Sequence, residues 1–293
     1  MIHGRGAFHT IILALILFGC KQTNEPPVEE RGLDVMPNWS NDGSRVAFTG
    51  VYNNVQGIYS VDTGGTNLRL LAANVAGGSS WSPDSKWLAF AGPDGIYKVK
   101  ANGDSTKRLT NFSGDFHPAW SPDGNAIAFV RTNYGVMLYN IQNGSESAAF
   151  GSGFSPSWHR NGDLVVMVSS YRGAAQGTMY TFYAVRPDSA ESRSLYSFST
   201  FNDCTYSSAN PVGTSVALIA FSSKSANDYT QVWTVTLATG LRIQLTTDGG
   251  DGPAWSPDGS RIVYTRTLPG DGGLWIMNSD GSGKRRLTSP AQS

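Results

Sequence analysis

The chain has 293 residues, of which 15% are charged and 11% aromatic, and its 22 Lys plus Arg are matched by 22 Asp plus Glu. A formal net charge of zero removes the counterion release on which nucleic-acid binding depends, so composition argues against a nucleic-acid partner. There are two cysteines, Cys20 and Cys204, too few for a disulfide-stapled scaffold.

The first twenty residues stand apart. "MIHGRG" carries one Arg and no acid, and "AFHTIILALILF" is an apolar run shorter than the roughly 20 residues a membrane span needs. "LFGC", Leu17 to Cys20, is similar to a bacterial lipoprotein signal, with Phe18 bulkier than usual at its position. That likeness implies a signal over residues 1–20 and Cys20 as the lipid acceptor. The other reading is a general secretory signal or plain anchor with an incidental Cys. An acylated Cys20 leaves Cys204 without a disulfide partner. Residues 21–33, "KQTNEPPVEERGL", read as a polar tether with two prolines and no apolar period.

From Asp34 onward one sentence recurs: "MPNWSNDGSRVAF", "GSSWSPDSKWLAF", "HPAWSPDGNAIAF", "PSWHRNGDLVVMV" and "GPAWSPDGSRIVY". Its marks are Trp39, Trp81, Trp120, Trp158 and Trp255, at steps of 42, 39, 38 and then 97. The long step holds one more copy, "CTYSSANPVGTSVALIAF", in which Tyr206 is assigned the Trp place. Six copies near 40 residues each indicate a propeller, a solenoid or an array. Within the third copy, "HPAW" leads into Ser121-Pro122-Asp123-Gly124, which has the residue preferences of a type I turn. "AIAFVR", "GVMLYNI" and "SAAF" follow as three more strand-like pieces. Four strands per copy with no helical period predict an all-β, six-bladed β-propeller over residues 34–293, with four antiparallel strands per blade. "TKRLT" and "KRRLT" place paired basic residues on outermost strands, where charge discourages edge-to-edge pairing.

The "WSPDGxxIAF" sentence resembles the repeat of TolB-type propellers, and the resemblance covers nearly all of the chain after the tether. It is strongest in the second, third and sixth copies and faintest in the fifth. Asn41 for Pro, Ser85 for Gly and His159-Arg160 for Ser-Pro depart from it within the turn. The resemblance implies a partner-binding protein of the bacterial periplasm or outer membrane. The α/β domain that precedes the propeller in TolB is not matched, so its partner-binding segment does not carry over. The same repeat occurs in prolyl-oligopeptidase-type peptidases, which rely on a separate hydrolase domain.

Catalytic signatures are weak. The motif Asp, such as Asp123 or Asp258, sits at a turn corner where bonding to nearby backbone accounts for it. No Gly-x-Ser-x-Gly elbow occurs, His117 and His159 lack the companions a zinc site requires, and no cofactor motif is complete. One constellation remains. Asp34, Asp115, Asp203 and Asp251 stand three to five residues ahead of the marker aromatic, with His117 beside Asp115. Equivalent positions converge at one mouth of a propeller channel, so these acids either ring that mouth, to bind a cation, a basic peptide or a polar ligand, or cap their own turns. Loops between second and third strands open on the same face and carry Tyr52, Tyr171 and Tyr229, which suit a protein or glycan contact. Two readings follow. The first is a monomeric, non-catalytic, lipid-anchored scaffold that binds an envelope protein, or a glycan or peptide. The second is a hydrolase or lyase using Asp115, His117 and Asp251. The lack of a catalytic set favours the first.

Overall fold

The computed structural model describes residues 34–75, 77–189, 191–200, 204–212, 218–224, 229–266, 268 and 271–288. Residues 1–33, with Cys20 and the tether, and Asp203 lie outside them. The described residues form six four-stranded antiparallel sheets, each with its strands in simple chain order, and no helix. The innermost strands are β1 (Val35–Trp39), β5 (Gly77–Trp81), β9 (Asp115–Trp120), β13 (Phe154–Trp158), β17 (Cys204–Ala209) and β21 (Asp251–Trp255). This is the six-bladed propeller that the repeat predicts.

Each sheet is covered on both faces by its neighbours, and the second strands show it. Val46, Ala47 and Phe48 are all fully buried, as are Ile127, Ala128 and Phe129. A strand buried on both sides reads as an unbroken apolar run rather than an alternation, which is why "RVAF" and "AIAF" recur. The tryptophans join neighbouring blades. The indole N–H of Trp81 donates to Asn38 O at 3.3 Å, that of Trp158 to Ala119 O at 3.0 Å, and that of Trp39 to Ala254 O at 3.2 Å. The last of these ties the first blade to the sixth and closes the ring.

The turn after each marker is built as its residues dictate. Ser121 Oγ donates to Asp123 at 2.6 Å, Asp123 accepts the Asn125 N–H at 3.0 Å, and Gly124 N–H reaches Ser121 O at 3.0 Å. The departures keep the turn. Ser85 takes the left-handed φ of 56° that Gly124 holds at 77°, and its N–H still bonds Ser82 O. In the fourth copy the Gly162 N–H still bonds His159 O at 3.0 Å, and His159 Nδ1 accepts the Asn161 N–H at 3.2 Å.

Two expectations change in register. The outermost strands of the second and sixth blades shrink to Lys107–Arg108 and Arg285–Arg286. Beyond each, and beyond the outer strand of the fifth blade, a threonine finishes the edge instead. Thr110, Thr246 and Thr288 accept the N–H of Ile96, Val232 and Leu274, each at 2.9 Å. In the fifth blade, Ala209 rather than Tyr206 holds the tryptophan place, because Ala209 pairs with Ile219 as Trp39 pairs with Val46. Those partners are ten positions apart instead of seven, so the loop there is longer and matching on the aromatic alone misplaced it.

Candidate functional site

The six innermost strands surround a channel of about 230 Å³. Every one of them has its pairing register broken just before the marker position. At that break the chain presents Met36, Gly78, His117, Ser155, Tyr206 and Gly252, one per blade, all lining the channel. Five of the six are in the left-handed region, with φ of 55°, 70°, 50°, 55° and 55° for Met36, Gly78, His117, Ser155 and Gly252. In four copies proline follows, and a residue before proline is pushed out of the right-handed helical region. Holding Met36, His117 and Ser155 there costs about 1 kcal/mol or more each, strain of the kind that collects at functional sites.

Around the ring, large and small residues alternate: Met36, His117 and Tyr206 in odd blades, Gly78, Ser155 and Gly252 in even ones. Gly78 makes room for the large residue of the following blade, while Gly252 meets its neighbour at ordinary contact distance. A Cβ on Gly78 would stand 3.2 Å from the His117 ring, and one on Gly252 would stand 3.9 Å from Met36 Cα. Ser155 Oγ accepts the Ser207 N–H at 2.7 Å, which seats the strand carrying Tyr206. The His117 and Tyr206 rings meet edge to face at 5.5 Å, across the space between blades three and five. The result is a three-sided constriction at the end of the channel where the innermost strands begin. At the opposite end Arg160 reaches from blade four to Pro257 O in blade six at 2.7 Å.

Burial pushes the His117 imidazole down to about 4, so the ring is neutral near pH 7. Its Nδ1 has no hydrogen-bond partner among the described residues. Burial, then the nearby Asp251 charge, pushes the Tyr206 phenol far up, so it stays a neutral donor.

Of the described candidate carboxylates, Asp34 and Asp115 are drawn into bonds between blades and Asp251 alone stands beside the channel mouth. Asp34, 6% exposed, accepts from Tyr52 Oη at 2.7 Å and from Thr288 Oγ1 at 2.6 Å, and burial raises its carboxyl above the usual range. Asp115, 2% exposed, is gripped by Arg131 at 2.7 and 2.8 Å and by Thr110 Oγ1 at 2.6 Å. Both acids therefore join one blade to the next. Asp251 stays half-exposed, accepting from Thr205 Oγ1 at 3.2 Å and from the Gly252 N–H. The Asp115–His117 pair that a hydrolase or lyase would use is not formed, since Arg131 and Thr110 occupy Asp115.

Of the loop tyrosines, Tyr52 is taken into the Asp34 contact and packs on Tyr59 at 4.8 Å. Tyr171 and Tyr229 stand out at 72% and 46% exposed. Tyr134, 61% exposed, joins them from the matching loop of blade three, with Phe112 edge to face at 6.2 Å. The "TNYG" turn was the available signal for Tyr134, and the residue three places before the marker was the signal for Met36; for Tyr206 that signal appears only once Ala209 is known to hold the marker place.

A profile of the TolB beta propeller domain matches residues 19–195. The chain belongs to the TolB β-propeller family. An uncharacterised protein of Agrobacterium fabrum is 30% identical over 149 residues, 43% of this chain and 51% of its own length. A TolB homologue of Chlorobium luteolum is 34% identical over 112 residues, 36% of this chain and 25% of its own. The chain thus spans about half and a quarter of these two relatives. A solved structure from Agrobacterium tumefaciens, provisionally described as TolB, superposes with a TM-score of 0.61 at 19% identity, covering 75% of this chain and 84% of that one. At that identity the superposition speaks for the fold.

Proposed function

We propose that this TolB-family propeller is a non-catalytic binding scaffold of the bacterial cell envelope. It is held at a membrane by a lipid on Cys20 and captures a segment of a partner protein at the strand-start mouth of its channel. The observation that carries this reading is the constriction formed by Met36, His117 and Tyr206. It offers a neutral imidazole, a phenol and a thioether around a narrow opening, with the Asp251 carboxylate beside it. Such a set recognises an inserted side chain by shape and hydrogen bonding. A nucleophile activated by a neighbouring base is a different arrangement, and here the imidazole has no acid partner among the described residues. The exposed Tyr134, Tyr171 and Tyr229 on loops of the same face supply amphipathic contact area around the opening. The kinship with TolB homologues supports an envelope setting.

The test is capture of crosslinked partners in native cells by the wild type and by an Asp251→Asn, Tyr171→Ala double variant. Tyr171 makes no blade-joining bond, and the one that Asp251 accepts, from Thr205 Oγ1, is exposed and can be kept by an amide oxygen, so unfolding is expected to stay within about 0.5 kcal/mol of wild type. Capture is expected to fall about tenfold, the equivalent of 1.4 kcal/mol. Undiminished capture by a folded double variant would remove the mouth as the binding site.

A further inference from the structure

The most divergent neighbours in the ring are the fourth and fifth blades, and between them lies a second opening. The outer strand of blade four, β16 (Glu191–Thr200), is ten residues long and pairs along its whole length with β15 (Thr178–Arg186). The outer strand of blade five, β20 (Leu241–Gln244), is four residues long and covers only Trp233 to Thr236 of its neighbour β19 (Thr230–Thr236). A long strand facing a short one leaves a groove of about 490 Å³ at the outer rim. Side chains two apart on a strand share a face, so Phe198 and Thr200 face the groove from one side, and Phe221 and Ser223 from the other. Phe221 pairs across its sheet with Trp233, which puts both rings on the same wall.

The chemistry of this groove is lopsided. Its floor is the buried edge of the core, where the Phe198 and Phe221 rings lie 5.4 Å apart, and its accessible apolar surface comes from the partly buried Trp233 and the exposed Leu241. Its charge is a single cation. Arg242 lies 5.2 Å over the Phe198 ring and, among the described residues, has no carboxylate partner. Of the other arginines on rings, Arg131 binds Asp115 and Glu146, and Arg266 binds Asp248 and Asp271. Arg45 bonds backbone carbonyls, and Arg261 over Trp39 shares with Arg242 the lack of a carboxylate partner among the described residues. The Trp233 indole N–H also finds no acceptor. Guanidinium and indole are donors only, so whatever completes the groove must bring acceptors.

We propose that the groove between the fourth and fifth blades binds a small amphipathic carboxylate, a body of one or two rings bearing one acid group. The rings would lie against Trp233 and Leu241, and the carboxylate would meet the planar fork of Arg242. One guanidinium matches one carboxylate bidentately, whereas a doubly charged phosphate calls for more donors than the groove holds. The volume falls within the roughly 300–1,000 Å³ of ordinary small-ligand sites. This site is separate from the channel mouth and does not depend on the partner reading given above.

The test is titration of the full chain by calorimetry with 1-naphthoate and with its neutral counterpart 1-naphthylmethanol. Saturable binding of the naphthoate is expected, weakening about tenfold for the alcohol, as follows from losing one charge-assisted hydrogen bond at a partly exposed cation. Arg242→Gln is expected to bring naphthoate down to the alcohol's level, and Arg242→Lys to restore part of the difference. Because Arg242 is on an exposed outer strand, these variants leave the core packing in place. His117→Gln, at the channel, is expected to leave naphthoate binding unchanged. No saturable binding, equal binding of the two probes, or loss through His117→Gln instead of Arg242→Gln would each overturn the proposal.

Discussion

Replacing Thr288 with Val isolates one of the bonds that close the ring, beside that of Trp39 to Ala254 O. The two side chains have nearly the same shape, so no cavity opens and the change falls on one hydroxyl. That hydroxyl accepts the Leu274 N–H at 2.9 Å and donates to Asp34 at 2.6 Å, with both Thr288 and Asp34 buried. Without it Asp34 retains one donor, Tyr52, and the Leu274 amide is left unmade. A hydrogen bond to a charged group plus an orphaned buried amide comes to about 3–4 kcal/mol. Thr246→Val is the internal control, because Thr246 donates to the neutral Gln231 at 2.8 Å, and its expected cost is about 2 kcal/mol. The pH dependence sharpens the comparison. Burial, the largest influence, raises the folded-state carboxyl of Asp34 above its unfolded value, against the lowering effect of the Thr288 and Tyr52 bonds. A group raised on folding contributes stability at low pH that is lost as pH rises through its folded value. Removing the Thr288 donor raises that value further, so the Thr288→Val penalty is expected to be largest near neutral pH and to shrink toward about pH 4.5. Urea unfolding followed by tryptophan fluorescence, for wild type and both variants at the two pH values, reads this directly. Equal costs for the two valine variants near neutrality, with no shrinkage in acid, would refute the closure argument.

His117 makes the opposite pH prediction. Its folded value, lowered to about 4 by burial, lies below the unfolded one, so its contribution is present above about pH 6.5 and is lost as pH falls toward the folded value. His117→Gln should therefore flatten part of the acid-side decline in stability, and an NMR titration of the wild-type ring with a midpoint near 6.5 would contradict its burial. Cys20→Ser should move the protein from the membrane fraction to the soluble fraction on cell fractionation; continued membrane association would count against lipidation.

The fold was legible because a propeller repeats its physics. Each blade needs a turn that Ser-Pro-Asp-Gly makes cheaply and a second strand buried on both faces, so the same letters return every 40 residues or so. What was hidden lay where the repeat relaxes. Asp34 and Asp115 stand five places before their markers and meet Thr288 and Thr110 from the preceding blade, whereas Asp251 stands four places before Trp255 and accepts from Thr205 and its own neighbour. The deciding partner is more than 250 residues away for Asp34 and five for Asp115, and an Asp ahead of a marker does not by itself distinguish a carboxylate that seals a ring from one that faces a ligand. The distinguishing signal is instead the threonine that ends the outer strand. Where Leu-Thr is followed by an acid entering the next blade, as Leu109-Thr110 is by Asp115 and Leu287-Thr288 is, around the ring, by Asp34, the acid is structural. Leu245-Thr246 has that form too, but its hydroxyl turns to Gln231, and Asp251 is left beside the channel. The place five before Trp255 is Gly250, where a Cβ would stand 2.9 Å from Thr246 Oγ1, so that hydroxyl meets no acid and donates to Gln231 instead. With glycine there, the fifth and sixth blades depart from their neighbours, and an acid remains at the mouth.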